Sequence, residues 1–282
     1  MAKIVWLASY PRSGNTWLRF MLGCLLKGSP VVNSAEVSRL IPDIHDGIRG
    51  DALFGKRTTL IKTHWAFDAE LPLREDTVGV VHLVRNPLDV LESNQNYALT
   101  RSGEAFVQTS EEERRAMAHQ FAEGYIANGG HPRFAEFGFG SWEHHTLSWA
   151  SPRNEIPKLA LRYEDLRSEP MTQLRRIAQF LRLEKTDREI AAATEASNIA
   201  AMRRIETREI EQRIEGIFYQ ATNASAYAAG QRFVGDGRRR FSLTAEQRQR
   251  ALARFGGLMR RLGYATGSSS DPVAQEFQSK EP

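Results

Sequence analysis

Four short apolar runs set the limits on how this chain can fold: Ile4–Ala8 ("IVWLA"), Thr59–Lys62 ("TLIK"), Val78–Val84 ("VGVVHLV") and Lys158–Arg162 ("KLALR"). Each reads as a strand, and each gives way to polar or helix-patterned sequence. Helical stripes fall between and after them. Leu18, Met21, Leu22 and Leu25 form the first, and Leu174, Ile177, Ala178 and Leu181 follow Pro170. Leu252, Phe255, Met259 and Leu262 follow Thr244, whose capping partner is expected to be Gln247. Strands that alternate with helices pack as a parallel sheet covered on both faces, so the expected fold is a single α/β domain with a central parallel sheet flanked by helices.

With 282 residues and 41% apolar content, the chain suits one large domain, expected over 1–265. Two stretches fit the sheet scheme poorly: about 100–140, with Gly129-Gly130 and "FAEFGFGSW", and about 206–237, rich in Ala, Gly and Gln. They are expected as lid-like insertions, with surface loops as the plainer alternative. The polar segment 266–282 lacks any pattern and is expected to be a flexible tail. No apolar run approaches a membrane span, and the opening strand lacks the flanks of a signal peptide, so a cytoplasmic enzyme with no membrane partner is expected. The one cysteine, Cys24, sits in the first helical stripe and is expected as buried packing. The net charge of +4, from 38 basic against 34 acidic residues, fits an anionic ligand. Nucleic acid is not expected as a partner, since no helix-turn-helix, zinc-finger or basic-aromatic pattern is present.

The loop after the first run, Ser9-Tyr10-Pro11-Arg12-Ser13-Gly14-Asn15-Thr16-Trp17, joins a strand to a helix N-terminus. Unpaired N–H groups and the helix dipole favour an anion there, and Gly14 lets the backbone approach it. Arg12, Ser13, Asn15 and Thr16 add donors and no negative charge. The loop is not GxxxxGK[ST], because the first glycine and the lysine are missing. Taken alone, it could equally be a plain strand-to-helix connection.

Three further segments lie at the ends of the other runs. Ile61-Lys62-Thr63-His64 ends a strand in an amine and an imidazole, and a histidine at neutral pH can accept a proton from a hydroxyl. Arg85-Asn86-Pro87 follows the strongest strand, with Ser93 one or two helical turns on, so Arg85 and Ser93 can converge on one anion. Arg162-Tyr163-Glu164-Asp165-Leu166 with Pro170 ends the fourth run. Singly, His64 reads as structural and Arg85 as an ion-pair residue. Together the segments provide two anion sites, with Trp17 and Tyr163 available for a base between them, which suits a nucleotide phosphorylated on its 5′ and 3′ sides.

These motifs, in order from about Ile4 to Leu262, resemble those of the sulfotransferases that use 3′-phosphoadenosine-5′-phosphosulfate (PAPS). The family's "YPKSGTTW", which binds the 5′-phosphosulfate, corresponds to "YPRSGNTW" here, with departures at Arg12 and Asn15. Its "KTH" is present as Lys62-Thr63-His64, its "RNPxDVxxS" 3′-phosphate motif as Arg85 to Ser93, and its "YEDL...P" as Tyr163 to Pro170. "GSW" followed by a histidine recurs as Gly140-Ser141-Trp142 and His145. The C-terminal "RxGxxGxW" is less faithful: "QRFVGDGRRRFS" keeps Arg232, Gly235 and Gly237 but has Arg238 for the tryptophan. This segment is similar to the "FVGKGG" stretch of bacterial glycopeptide-antibiotic sulfotransferases, which implies a natural-product acceptor.

The resemblance implies a P-loop-like nucleotide-binding architecture. It also implies direct in-line transfer of a sulfuryl group from PAPS to an acceptor hydroxyl, leaving adenosine 3′,5′-bisphosphate (PAP). His64 would be the general base, with Lys62 and Arg12 neutralising charge on the transferring group and leaving oxygen. Arg12, Ser13, Gly14, Asn15, Thr16, Trp17, Arg85, Ser93, Tyr163, Arg232, Gly235 and Gly237 would bind the nucleotide. No metal site is expected: His144 and His145 are adjacent rather than spaced on one helical face, and cationic side chains can replace Mg²⁺ on a sulfuryl group. A small-molecule acceptor is the expected partner, and a homodimer is left open. The alternatives are a nucleotide or small-molecule kinase, which should show the GK[ST] lysine and a carboxylate for Mg²⁺, and a non-catalytic nucleotide-binding protein, which would have no use for His64.

Overall fold

A computed structural model of the chain describes residues 3–47, 53–54, 58–100, 109–151, 155–228, 232–235 and 241–266. The four expected strands form as β1 (Lys3–Ser9), β3 (Thr58–Thr63), β4 (Thr77–Val84) and β5 (Lys158–Arg162). A two-residue strand, β2 (Leu53–Phe54), which the sequence pattern did not reveal, pairs antiparallel to the outer edge of β3. The sheet order is β2-β3-β1-β4-β5, and β1, β3, β4 and β5 run parallel.

Alternation along β1 explains its near-continuous apolar sequence. Val5 and Leu7 enter one core with Leu18, Met21 and Leu22 of the helix Asn15–Lys27 and Leu174 and Ile177 of the helix Pro170–Phe180. Ile4, Trp6 and Ala8 point the other way, onto Ile61, Val80 and Trp149. A strand buried on both faces favours apolar residues along its length, as in β1, β3 and β4, whereas β5 at the edge of the sheet buries only Leu161. Cys24 lies in the first of these cores, buried and unpaired.

Among the described residues, helices cover most of the first stretch expected as an insertion and about half of the second. Glu111–Asn128 is an 18-residue helix opened by a Ser110/Glu113 capping box. It buries Ala118, Ala122, Tyr125 and Ile126, three of which join Val90, Leu91, Trp142 and Phe255 in a third core. Two of its four inward residues are alanines, so its apolar stripe is faint in the sequence. Residues 206–212 complete the helix Ile199–Gln212. Thr244 and Gln247 form the expected capping box of Ala245–Arg261. Gly237 and the tail beyond Thr266 lie outside the described residues.

The register places the site. Leu7 and Ala8 pair with Lys62 and Thr63, Ser9 pairs with Leu83, and Val84 pairs with Arg162. The carboxyl ends of four strands are therefore level, and the chain leaves β1 between neighbours on either side. In open α/β sheets ligands bind in that crevice.

Candidate active site

The loop after β1 is shaped to approach an anion. Gly14 caps the helix Asn15–Lys27 at φ 97°, with no acidic residue in the first turn. A Cβ there would stand 2.6 Å from Tyr163 Cδ2, so the glycine is required both by the backbone and by the tyrosine ring laid against it. Ser13 is buried with Oγ unpartnered. Asn15 turns inward, donating from Nδ2 to Leu7 O (3.0 Å) and Ser9 Oγ (3.1 Å). Its side chain thus fastens loop to strand. Thr16 stands half-buried in the first helical turn. Trp17 donates to Ser197 O at 3.0 Å and meets Tyr163 edge-on, centroids 6.1 Å apart.

Arg12 joins this loop to the next strand end. Its φ of 68° is unusual for a residue other than glycine. Its Nε donates to Ser93 Oγ (3.3 Å), and its guanidinium lies 4.3 Å from the Tyr97 ring centroid and 5.1 Å from that of Phe233. Arg85 Nη1 donates to Arg12 O at 3.0 Å while its guanidinium stacks 4.3 Å above Tyr163. Arg85 Nε is buried without a partner. Glu164 steadies this corner, accepting from Asn86 N–H (3.1 Å) and from Tyr264 OH (3.0 Å).

At the end of β3, Lys62 is buried with Nζ 2.7 Å from Asp43 Oδ2. Burial brings its ammonium down to about 8, against the upward pull of Asp43. His64 Nδ1 lies 2.6 Å from Ser9 O. A carbonyl can only accept, so Nδ1 carries the proton and Nε2 holds a free lone pair. Burial, then the Lys62 charge, holds His64 well below the usual histidine range, so the ring is neutral at pH 7.

Rings surround this imidazole. His45 stacks on it at 5.7 Å, Phe139 meets it edge-on at 5.8 Å, and Phe134 and Phe137 pack on Phe139 at 5.5 and 5.8 Å. His145, fully buried, lies 5.6 Å from Tyr10 and 5.7 Å from His82, with both its ring nitrogens unpartnered. Burial keeps His145 neutral and takes His82 down to about 3.

The C-terminal loop is anchored by a residue that the sequence reading overlooked. Glu206, buried on the helix Ile199–Gln212, accepts from the backbone N–H groups of Phe233 and Val234, and Arg203 donates to Gly235 O at 2.7 Å. This seats Phe233 on Arg12. Arg232 is exposed and donates to Tyr227 O at 3.3 Å, so in this conformation one arm of its guanidinium is engaged with its own loop. Asp43 and His45 were also missed. They sit in a short connection without periodicity, and only its pairing across β3 brings them to the site. Among the described residues no group of three or more His, Cys, Asp or Glu could hold a metal ion, and no helix is long and apolar enough to cross a membrane.

Comparison with known proteins gives a consistent picture. The model of a family described as "Sulfotransferase domain" matches residues 3–263. Sulfotransferase 1B1 of Mus musculus is 30% identical over 186 residues, 62% of this chain and 57% of that protein. Cytosolic sulfotransferase 7 of Arabidopsis thaliana is 27% identical over 224 residues, 73% of this chain and 65% of that protein. The matches thus span less than two thirds of these relatives' length. Among solved structures, mouse sulfotransferase SULT7A1 complexed with PAP superposes with a TM-score of 0.59 at 20% identity, covering 92% of this chain and 84% of that one. Retinol dehydratase in a complex with retinol and PAP gives 0.57 at 18% identity, covering 91% and 81%. Both share the fold.

Proposed function

Since the chain belongs to the sulfotransferase domain family, we propose that it transfers the sulfuryl group of PAPS to a hydroxyl of a small-molecule or natural-product acceptor, leaving PAP. The observation that carries this reading is the join at Arg12. Through its bonds to Ser93 and Arg85, residues 81 and 73 positions away, the opening loop and the end of β4 make one basic surface beside His64. The unpartnered buried atoms Ser13 Oγ and Arg85 Nε are donors of the kind two separate phosphates would use.

In the proposed reaction the acceptor oxygen attacks sulfur while its proton passes to His64 Nε2, and the bond from sulfur to the 5′-phosphate oxygen breaks in line. Lys62, the loop N–H groups and Arg12 neutralise the charge that develops on the transferring group and leaving oxygen. For Arg12 this requires its side chain to swing from Ser93 towards the loop. Ser93 and Arg85 hold the 3′-phosphate, and Trp17 and Tyr163 flank the base. Gly235, seated by Arg203, and Arg232 belong to the loop that closes on the same phosphate. Phe134, Phe137 and Phe139 suit an acceptor with an apolar or aromatic portion, in keeping with the likeness to glycopeptide-antibiotic sulfotransferases.

The test is transfer itself. The protein should sulfate members of a panel of phenols and alcohols with PAPS, show no phosphoryl transfer from ATP, and gain thermal stability from PAP. Phosphoryl transfer from ATP, or binding of PAP without turnover of any acceptor, would replace this reading with the kinase or the binding protein.

The lid role of the 100–140 and 206–237 stretches belongs to the same proposal. The helix Glu111–Asn128 is fastened to the core, which leaves the segment from Gly129 to Gly140 and the loop around Phe233 to gate access. Their amides are expected to exchange hydrogen more slowly once PAP and acceptor are bound, while those of Ala122 to Ile126 stay protected throughout. Full protection of the gating segments in the empty enzyme would remove the gating role.

A further inference from the structure

The connection between the helix Ser34–Leu40 and β2 is laid across the end of β3 so that two of its side chains meet the two reactive residues there. Lys62 N–H donates to Pro42 O at 2.9 Å. Buried Arg19 donates to Ile41 O from Nε (3.1 Å) and Nη2 (2.6 Å). With that backbone fixed, Asp43 Oδ2 stands 2.7 Å from Lys62 Nζ, and Asp43 Oδ1 accepts the N–H of His45 at 3.1 Å. His45 Nε2 in turn accepts the backbone N–H of His64 at 3.0 Å, and the two imidazoles lie near parallel, 22° apart. Residues 43 and 45 thus match residues 62 and 64 one to one.

Resting on the reading under "Proposed function", we propose that Asp43 and His45 are positioning residues for the transfer. Asp43 holds the Lys62 ammonium charged and in place, and His45 holds the His64 ring so that Nε2 faces the acceptor.

The physical case for Asp43 is that Lys62 has lost nearly all contact with water. A buried lysine without a counter-charge falls to about 5–6 and is neutral at pH 7, and a neutral amine cannot offset the charge of a leaving phosphate. The charged groups around Lys62 are Asp43 and the more distant Asp46, which favour its protonation, and Arg19, which opposes it. Asp43 is the one in contact. For His45 the case is its neutrality. Its Nε2 accepts a hydrogen bond, so that nitrogen has no proton, and partial desolvation with the Lys62 charge takes the exposed ring down to about 4 despite Asp43. A neutral ring can stack on His64 without repelling the proton that His64 takes up.

The test uses Asp43→Asn, Asp43→Glu and His45→Phe, with two readouts. The first is the titration of Lys62, followed by NMR of lysine-labelled protein and assigned with Lys62→Met. Lys62 should titrate near 8 in the wild type, near 6 in Asp43→Asn, and again near 8 in Asp43→Glu. The second is the single-turnover rate against pH. Asp43→Asn should draw the alkaline limb down with Lys62, Asp43→Glu should return it, and His45→Phe should slow transfer about 10- to 100-fold with PAP affinity unchanged. An unchanged Lys62 titration in Asp43→Asn, or rates within twofold for both Asp43→Asn and His45→Phe, overturns the assignment. If Asp43→Asn does not fold, Asp43→Ser is read in the same way: an unchanged Lys62 titration in that variant overturns the assignment. The titration needs no substrate, so a protein that fails to bind PAP would refute the sulfotransferase reading while leaving this test intact.

Discussion

His64→Ala or His64→Gln is expected to slow sulfuryl transfer by about 10²–10⁴-fold in single turnover, the span for losing a positioned general base, with PAP affinity nearly intact. The Ser9 carbonyl fixes the tautomer, leaving Nε2 as the acceptor of a proton. Only the neutral ring can act, so the wild-type rate should fall as pH drops through the His64 pKa. Burial and Lys62 set that point well below 6.5. The variants should lose this acid limb, because no group with that pKa then has to be deprotonated. Single-turnover conditions keep slow product release from hiding the effect. A variant within a few-fold of wild type, tested on an acceptor whose hydroxyl is not already ionised, would shift attention to Lys62 or to His145, whose two ring nitrogens are buried without partners.

Arg85→Ala is expected to erase the preference for PAP over AMP. Tyr163 supports the guanidinium from below and Arg12 O takes one Nη1 proton, while Nε lies buried and unpartnered. A charged hydrogen bond of this kind contributes about 1.5–3 kcal/mol, or about 10- to 100-fold in Kd. In the wild type PAP should therefore raise the melting temperature well above the shift AMP produces. In Arg85→Ala the two shifts should converge. Equal shifts in the wild type would remove the 3′-phosphate site, and an undiminished preference in the variant would transfer it to Ser93 and the C-terminal loop.

The parallel strands could be read directly from the chain, because strands buried on both faces, as β1, β3 and β4 are, read as short apolar runs. The four runs ended within a residue of the strand ends found. Capping at Thr244 and Gln247 was equally legible, since a capping box depends on residues three apart. The helix Glu111–Asn128 was not, because alanines carry part of its buried face. Nor was the inward turn of Asn15. Its amide bonds to Leu7 O and Ser9 Oγ, and nothing in "RSGNTW" tells an asparagine that faces a ligand from one that ties down its own strand.

The sequence by itself determined the four parallel strands, the order of the motifs along the chain and the residue types at each strand end. These follow from local patterns and from chemistry that a residue carries wherever it stands. Only the tertiary structure decided which of them touch. Arg12 reaches Ser93 across 81 positions, Glu206 anchors Phe233, and Asp43 and His45 stand against Lys62 and His64. Such pairings depend on strand register and on how a connection crosses the sheet, so they have no fixed spacing in the chain. The ionisation of Lys62 and His64 belongs to the same class, because burial and nearby charge set it and both exist only after the chain has closed around them.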